Sequence, residues 1–315
     1  MEKYLVFTGG VGGAKLCLGL TQIIEPEDIL FVVNTGDDFE HLGLKICPDL
    51  DTLMYTLSRE SDEKRGWGRK DETWRCLESL RALGGPSWFN LGDRDLAVHL
   101  LRTHLLKQNH NLSEITASLY QAFGIRHRAI PMTDDLVSTI IITDGGEELS
   151  FQDYFVKESC VPAIKSIRYK SAASAMMPKT LEKILANTEL KGIIFAPSNP
   201  FLSIEPILQV AGLKLAIQSA KAPKIAISPI INGASVKGPT DKIMVELGME
   251  VNNLSIIQHY KNLFTHLIID RSDSSCANEI EKLGLNVSID NTLMSNLSDK
   301  IKLAEKAIKV AGENY

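Results

Sequence analysis

Four glycines in five positions, Gly9, Gly10, Gly12 and Gly13, follow an apolar run over residues 4–7 and lead into Ala14-Lys15-Leu16. Glycine allows backbone to bend sharply or to approach a ligand with no Cβ in the way. The free N–H groups at a helix start, aided by the helix dipole, attract anions. Gly10, Gly12, Gly13 and Lys15 are therefore candidates for holding a phosphate at the end of a first strand. Gly10-x-Gly12 is followed by Lys15 where the third glycine of a dinucleotide fingerprint would fall, and no Gly-Lys-Ser/Thr ending of a P-loop is present. Neither NAD nor ATP follows from the turn, and a tight strand-to-helix connection without a ligand requires the same glycines.

Carboxylates supply the second kind of chemistry. Asp37 and Asp38, in Asn34-Thr35-Gly36-Asp37-Asp38, can bind a metal or a ribose hydroxyl, or can simply close a turn. Asp51 follows Cys47-Pro48-Asp49-Leu50, where proline and aspartate suit a helix start, and either caps that helix or offers its carboxylate to a metal or a substrate hydroxyl. In Leu91-Gly92-Asp93-Arg94-Asp95, the acids either cap the next helix beside a local ion pair or meet a cation, with Arg94 near a phosphate.

Several elements must position these groups. Residues 4–7 and 29–33 read as strands either side of a first helix, a βαβ unit. Further buried strands are expected over 192–196, 224–228 and 267–270, stopping at Pro197-Ser198-Asn199-Pro200, at Pro229 and at Asp270. Asn232-Gly233 and Lys237-Gly238-Pro239 add turns near the same rim, and together these loops suggest a nucleotide-sized crevice. Helical spacing marks 73–83, with Trp74, Leu77, Leu80 and Leu83 as core, then 96–106, 112–123 and 299–310. Trp67, between Gly66 and Gly68, reads as an exposed contact or part of a lid. A hairpin is expected from 137–143, turning at Asp144-Gly145-Gly146 and returning over 149–155. The expected fold is α/β: a Rossmann-like, mostly parallel sheet with helices on both faces and an inserted smaller α+β sub-domain. The core comprises 1–60 and 180–315, and the insertion comprises 61–179.

Composition sets outer limits. The 315 residues are 44% hydrophobic and 23% charged, as in an ordinary globular protein. A net charge of -5 and a pI near 5.9 argue against nucleic acid as a partner, so an anionic ligand must be held by local positive potential. Five scattered cysteines form no Cys-x-x-Cys pair, so neither a zinc site nor a disulfide framework is expected, and a reducing cytoplasm suits them. No signal peptide and no membrane span are expected.

Read in order, the chain resembles the 2-phospho-L-lactate transferase family of coenzyme F-420 biosynthesis. The resemblance rests on Thr8-Gly9-Gly10-Val11-Gly12-Gly13-Ala14-Lys15, Val33-Asn34-Thr35-Gly36-Asp37-Asp38, Pro48-Asp49-Leu50-Asp51-Thr52, Leu91-Gly92-Asp93-Arg94-Asp95, Pro131-Met132-Thr133-Asp134-Asp135, Phe151-Gln152-Asp153-Tyr154 and Pro197-Ser198-Asn199-Pro200. It implies transfer of a phospholactate-type group from a guanosine diphosphate-activated donor to the deazaflavin Fo, with release of GMP and with Mg2+, by a homodimer. The deazaflavin positions fall on Asp51, Asn90 and Asp93. Relatives often carry a basic residue where Asn90 stands, so a hydrogen bond must serve there. The glycine turn and Lys15 are assigned to the diphosphate, Ser198, Asn199 and Pro200 to the guanosine side, and Asp37 and Asp51 to Mg2+ or the attacking hydroxyl. Sugar-nucleotide-binding regulatory proteins of related fold are the alternative, a sensor without catalysis. A nicotinamide dehydrogenase is a third reading, weakened by the missing third glycine.

Overall fold

The computed structural model describes residues 2–260 and 262–312. Seven parallel strands form the central sheet: β1 (Tyr4–Thr8), β2 (Ile29–Val33), β3 (Arg128–Pro131), β4 (Gly192–Phe195), β5 (Lys224–Ile227), β6 (His266–Asp270) and β7 (Asn286–Asp290). Their spatial order is β7-β6-β5-β4-β1-β2-β3. Tyr4 lies opposite Ile29 on one side and Gly192 on the other, and the register holds to Thr8↔Val33 and Phe7↔Phe195. The chain thus winds outward from β1 in one direction and outward from β4 in the other. The crevice at such a reversal, beyond the carboxyl ends of the strands, is where doubly wound sheets bind ligands.

Continuous apolar runs form β1 and β2 because both faces of a parallel sheet are covered. Leu5 and Phe7 point into one core cluster, while Tyr4 and Val6 point into the other. The second cluster is filled by α1 (Gly10–Leu20), α2 (Pro48–Leu57), α4 (Asp93–Lys107), α5 (Leu112–Ala122) and the helix Leu297–Gly312. Gly19 of α1 packs on that last helix so closely that a Cβ would run into the Lys300 carbonyl. The short helix α3 (Arg75–Ala82) lies outside this core. Only Leu77 of its expected apolar stripe is buried, and Leu83 is 86% exposed. Helical spacing there marks a weakly packed surface segment rather than a core element.

The expected hairpin is present: Ser138–Thr143 pairs antiparallel with Glu148–Ser150, and on its other side with Ile164–Lys170. The return strand stops at Ser150 rather than running to 155. Ser150 Oγ accepts from the Asp153 N–H (3.1 Å) and donates to Asp153 Oδ2 (2.6 Å), which turns residues Asp153–Lys157 into a helical coil. This three-stranded sheet is separate from the central one. The segment 61–179 is nonetheless joined to the core, because β3 inside it is the edge strand beside β2 and α5 covers the sheet. Among the described residues no single helix is long and apolar enough to cross a membrane.

Candidate active site

Gly9 and Gly10 connect β1 to α1 at the reversal point. Gly10 has φ +64°, a conformation that favours glycine. The expected phosphate cradle is partly occupied by the protein itself. The Gly10 N–H donates to Asp49 Oδ1 (2.7 Å), and the Gly9 N–H donates to Ser198 Oγ (3.1 Å), whose hydroxyl donates back to the Gly9 carbonyl (2.8 Å). Close packing explains the other glycines: a Cβ at Gly12 would lie 2.6 Å from the Pro197 carbonyl oxygen, and one at Gly13 would strike Thr8 and Ser198 side chains. Lys15, in the second turn of α1, donates to the Met294 carbonyl (3.1 Å).

Ser198, Asn199 and Pro200 therefore act first on the backbone. Asn199 Oδ1 accepts from the N–H groups of Phe201 and Leu202, its amide donates to Thr240 Oγ1 (2.9 Å), and the Pro200 carbonyl accepts from the Tyr260 hydroxyl (2.8 Å). Ser198 and Pro200 are buried. They hold the β4 loop against the glycine turn.

A buried acidic cluster follows β2. Asn34 donates to Asp49 Oδ2 (2.9 Å) and accepts from the Gly36 N–H (2.8 Å), so one side chain ties the two loops together. Gly36 is held tightly, since a Cβ there would lie 2.8 Å from both Pro206 and Thr139. Asp37 and Asp38 are buried, and Oδ1 of Asp37 has no hydrogen-bond partner among the described residues. Burial, then the charges of Asp49 and Asp38, hold the Asp37 carboxyl well above the ordinary range. Burial likewise raises Asp38, offset by Lys45, whose Nζ lies 3.2 Å from Asp38 Oδ2. Burial also pushes Asp49 up to about 6, against the hydrogen bonds from Asn34 and Gly10. Asp49 was not singled out from sequence, although its place beside the helix-starting Pro48 was visible.

Asp51 belongs to an adjoining cluster. It lies in the first turn of α2, and both its oxygens meet the buried Arg102 guanidinium from α4. Arg102 Nη1 also donates to His99 Nδ1 (3.2 Å), which leaves His99 Nε2 facing Asp95 Oδ1 at 3.3 Å. The Tyr55 hydroxyl donates to the same Asp95 oxygen (2.5 Å). One ligand atom each from Asp51, Asp95 and His99 lie within 4.8 Å of one another, a spacing that a metal ion can bridge. Arg102 and His99 were missed from sequence because a partner on a distant helix leaves no local pattern.

Asp93 faces elsewhere. Its carboxylate accepts from Thr73 Oγ1 (2.5 Å), Arg75 N (3.2 Å) and Cys76 N (3.0 Å), capping α3, while Glu72 caps α4 through the Arg94 and Asp95 N–H groups (2.8 Å each). Asn90 is exposed just before α4. Next to it in sequence are Trp88 and Phe89, packed with Phe39 and His41: Phe39 and Phe89 centroids are 4.9 Å apart, and His41 and Trp88 centroids are 5.2 Å apart. Burial, then His99, lowers the His41 pKa, and its Nε2 is unpartnered among the described residues.

A doubly wound sheet with a glycine turn at its reversal point and two acidic clusters beside it define a Rossmann-like α/β protein. The chain belongs to the 2-phospho-L-lactate transferase CofD family, which it matches over residues 5–309. It is a transferase. It is 38% identical over 317 residues to the phosphoenolpyruvate transferase of Streptomyces griseus, covering 99% of each chain. It is 34% identical over 306 residues to the 2-phospho-L-lactate transferase of Methanosarcina mazei, covering 97% of this chain and 99% of that one. Among solved structures, a UPF0052 family protein from Bacillus halodurans superimposes with a TM-score of 0.63 over 98% of both chains, at 15% identity. That likeness concerns the fold.

Proposed function

We propose that this chain transfers a phospholactate-type group from a guanosine diphosphate-activated donor to the deazaflavin Fo, releasing GMP, in coenzyme F-420 biosynthesis. One observation carries the reading: a buried carboxylate, Asp37, with an oxygen that has no hydrogen-bond partner among the described residues, beside two further acids on the rim where the sheet reverses. Such a set is costly unless something positive or hydrogen-bonding completes it.

In this reaction a hydroxyl oxygen of Fo forms a bond to the donor phosphorus that bears the acyl group. The P–O bond to GMP breaks, GMP leaves with the electron pair, and the hydroxyl proton passes to a rim carboxylate. Positioning and charge neutralisation supply most of the catalysis of such displacements. Asp37 and Asp51 are assigned to Mg2+ and the attacking hydroxyl. Asp37, repelled by Asp49 and Asp38, offers an oxygen that would suit a hard dication, whereas Asp51 is clasped by Arg102 and would reach one only together with Asp95 and His99; such an ion would neutralise charge on phosphate oxygens. Lys15 and the glycine turn face the diphosphate, and the loop of Ser198, Asn199 and Pro200 shapes the guanosine side through its backbone. Asn90, beside the cluster of Phe39, His41, Trp88 and Phe89, is assigned to the flat deazaflavin, which aromatic side chains pack well. Asp93 supports that surface by capping α3. The reading also includes a cytoplasmic homodimer, with 61–179 contributing to the deazaflavin site.

The test is incubation of the protein with Fo, Mg2+ and, in turn, phospholactyl, phosphoenolpyruvyl and phosphoglyceryl guanosine diphosphate donors, with products read by mass spectrometry. A phosphodiester-linked Fo is the expected product, and the fastest donor names the substrate. Unchanged Fo with every donor and folded protein overturns the proposal.

A further inference from the structure

The loop after β4 continues into a wide turn, Pro200–Ile204, whose hydrogen bonds reach far back along the chain. The Ile204 N–H donates to the Asn199 carbonyl (3.2 Å) and the Glu205 N–H to the Pro200 carbonyl, each five residues away. In that pattern the Phe201 carbonyl would accept from the N–H of residue 206. Residue 206 is proline, which has no N–H to give. Phe201 is buried, so its carbonyl needs a partner from the protein.

The Tyr169 hydroxyl supplies that partner, donating to the Phe201 carbonyl at 2.7 Å. Tyr169 belongs to the three-stranded sheet, on the strand Ile164–Lys170. The next carbonyl, Leu202, accepts from the Asn34 amide (3.1 Å), which also donates to Asp49. Directly opposite Tyr169 in the strand register stands the buried Thr139. Its N–H donates to the Gly36 carbonyl at 2.7 Å, one residue before Asp37. One cross-strand pair thus grips two loops of the site, the acid loop at Gly36 and the β4 loop at Phe201. Pro206 joins the two, because it leaves the Phe201 carbonyl to Tyr169 and also packs on Gly36.

We propose that Tyr169 is a positioning residue of the site, acting through the Phe201 carbonyl: with Thr139 it fixes the spacing between the loop of Ser198, Asn199 and Pro200 and the acids after β2. The inserted sheet thereby sets how the nucleotide end of the donor lies against the carboxylates. That the loop faces a guanosine rests on the transferase reading. In-line displacement needs its groups aligned closely, so a small slip between the two loops lowers the rate.

Steady-state kinetics with Fo and the guanosine diphosphate donors is the test, with GDP affinity read by calorimetry and the fold of each variant by circular dichroism. Tyr169→Phe removes only the hydroxyl. It should lower kcat/KM for the donor about tenfold, the scale of one buried hydrogen bond, and leave the KM of Fo unchanged. A residue that only stabilises the fold would lower the melting temperature and leave both constants as they are. Pro206→Ala returns an N–H to the turn, so in that background Tyr169→Phe should cost less than about threefold. Unchanged donor kinetics in Tyr169→Phe, or an equal loss in both backgrounds, overturns the positioning role, while turnover by wild type upholds the transferase reading. Wild type that leaves Fo unchanged sinks that reading, and GDP affinity then decides. A loss of about threefold or more in Tyr169→Phe sustains the role. Equal affinity, or no GDP binding at all, overturns it.

Discussion

Asp37 is buried beside Asp38 and Asp49, and its Oδ1 has no hydrogen-bond partner among the described residues. Replacing it with asparagine removes the repulsion and keeps the shape. Asp37→Asn is expected to melt at a higher temperature than wild type at pH 8 while losing at least about a hundredfold in kcat, the scale of a lost electrostatic contact to the transition state. Calorimetry and product formation measured on one preparation check both halves, and an active, destabilised variant would remove Asp37 from the site. Asp49 makes a related prediction about pH. A raised carboxyl pKa means the folded chain keeps a proton that the unfolded chain has released, so stability is lost as the pH rises through the folded value. For Asp49 the window runs from an unfolded value of about 4 up to about 6. Urea unfolding of the wild type should show stability falling across that interval, and Asp49→Asn should flatten its slope. A slope that persists unchanged would assign it to other groups.

Between elements, the contact that matters most is the seam of α1 against the loop after β4. Gly12 and Gly13 let the helix lie on Pro197 and Ser198, and Ser198 holds the Gly9 peptide by two hydrogen bonds. Gly12→Ala puts a methyl 2.6 Å from a carbonyl oxygen that belongs to backbone and cannot swing aside. A cost of about 1–3 kcal/mol is expected, as for overpacking elsewhere. Ser198→Ala leaves the buried Gly9 N–H without its acceptor, at a similar cost of about 1–3 kcal/mol. Urea midpoints read both changes, and either variant at wild-type stability would show that the seam is looser than it looks. α2 and α4 meet in the same way through Asp51 and Arg102, a buried pair that fixes the entry of α2 and so the place of Asp49 under the glycine turn.

At the scale of the whole molecule, the segment 61–179 supplies the edge strand β3 and the α4 and α5 faces of the second core. A chain spliced from 60 to 180 would leave Phe31 and its neighbours uncovered. It is expected to show no cooperative thermal transition and no near-ultraviolet signal, whereas a cooperative melt would establish an independent core. How much of this was legible in advance follows from burial. β1, β2, β4, β5 and β6 were readable because strands covered on both faces must be apolar throughout, and their polar ends located the rim. β7 was not, since Asn286–Asp290 lies at an edge and mixes exposed with half-buried residues. The helix over 73–83 was found, but its core face was not, because periodicity reports amphipathic spacing and says nothing of whether a partner arrives. For the site, sequence alone determined the glycine turn, the acids Asp37, Asp38 and Asp51 as local motifs, and the family they resemble. Only the tertiary structure decided that Asp49 occupies the turn, that Asp51 is clasped by Arg102, and that Asp93 caps a helix. Those partners lie 17 to 51 residues apart, as in Asp93 with Cys76 and Asp51 with Arg102. A contact of that kind is set by which helix crosses which strand end, and local residue patterns carry no record of it.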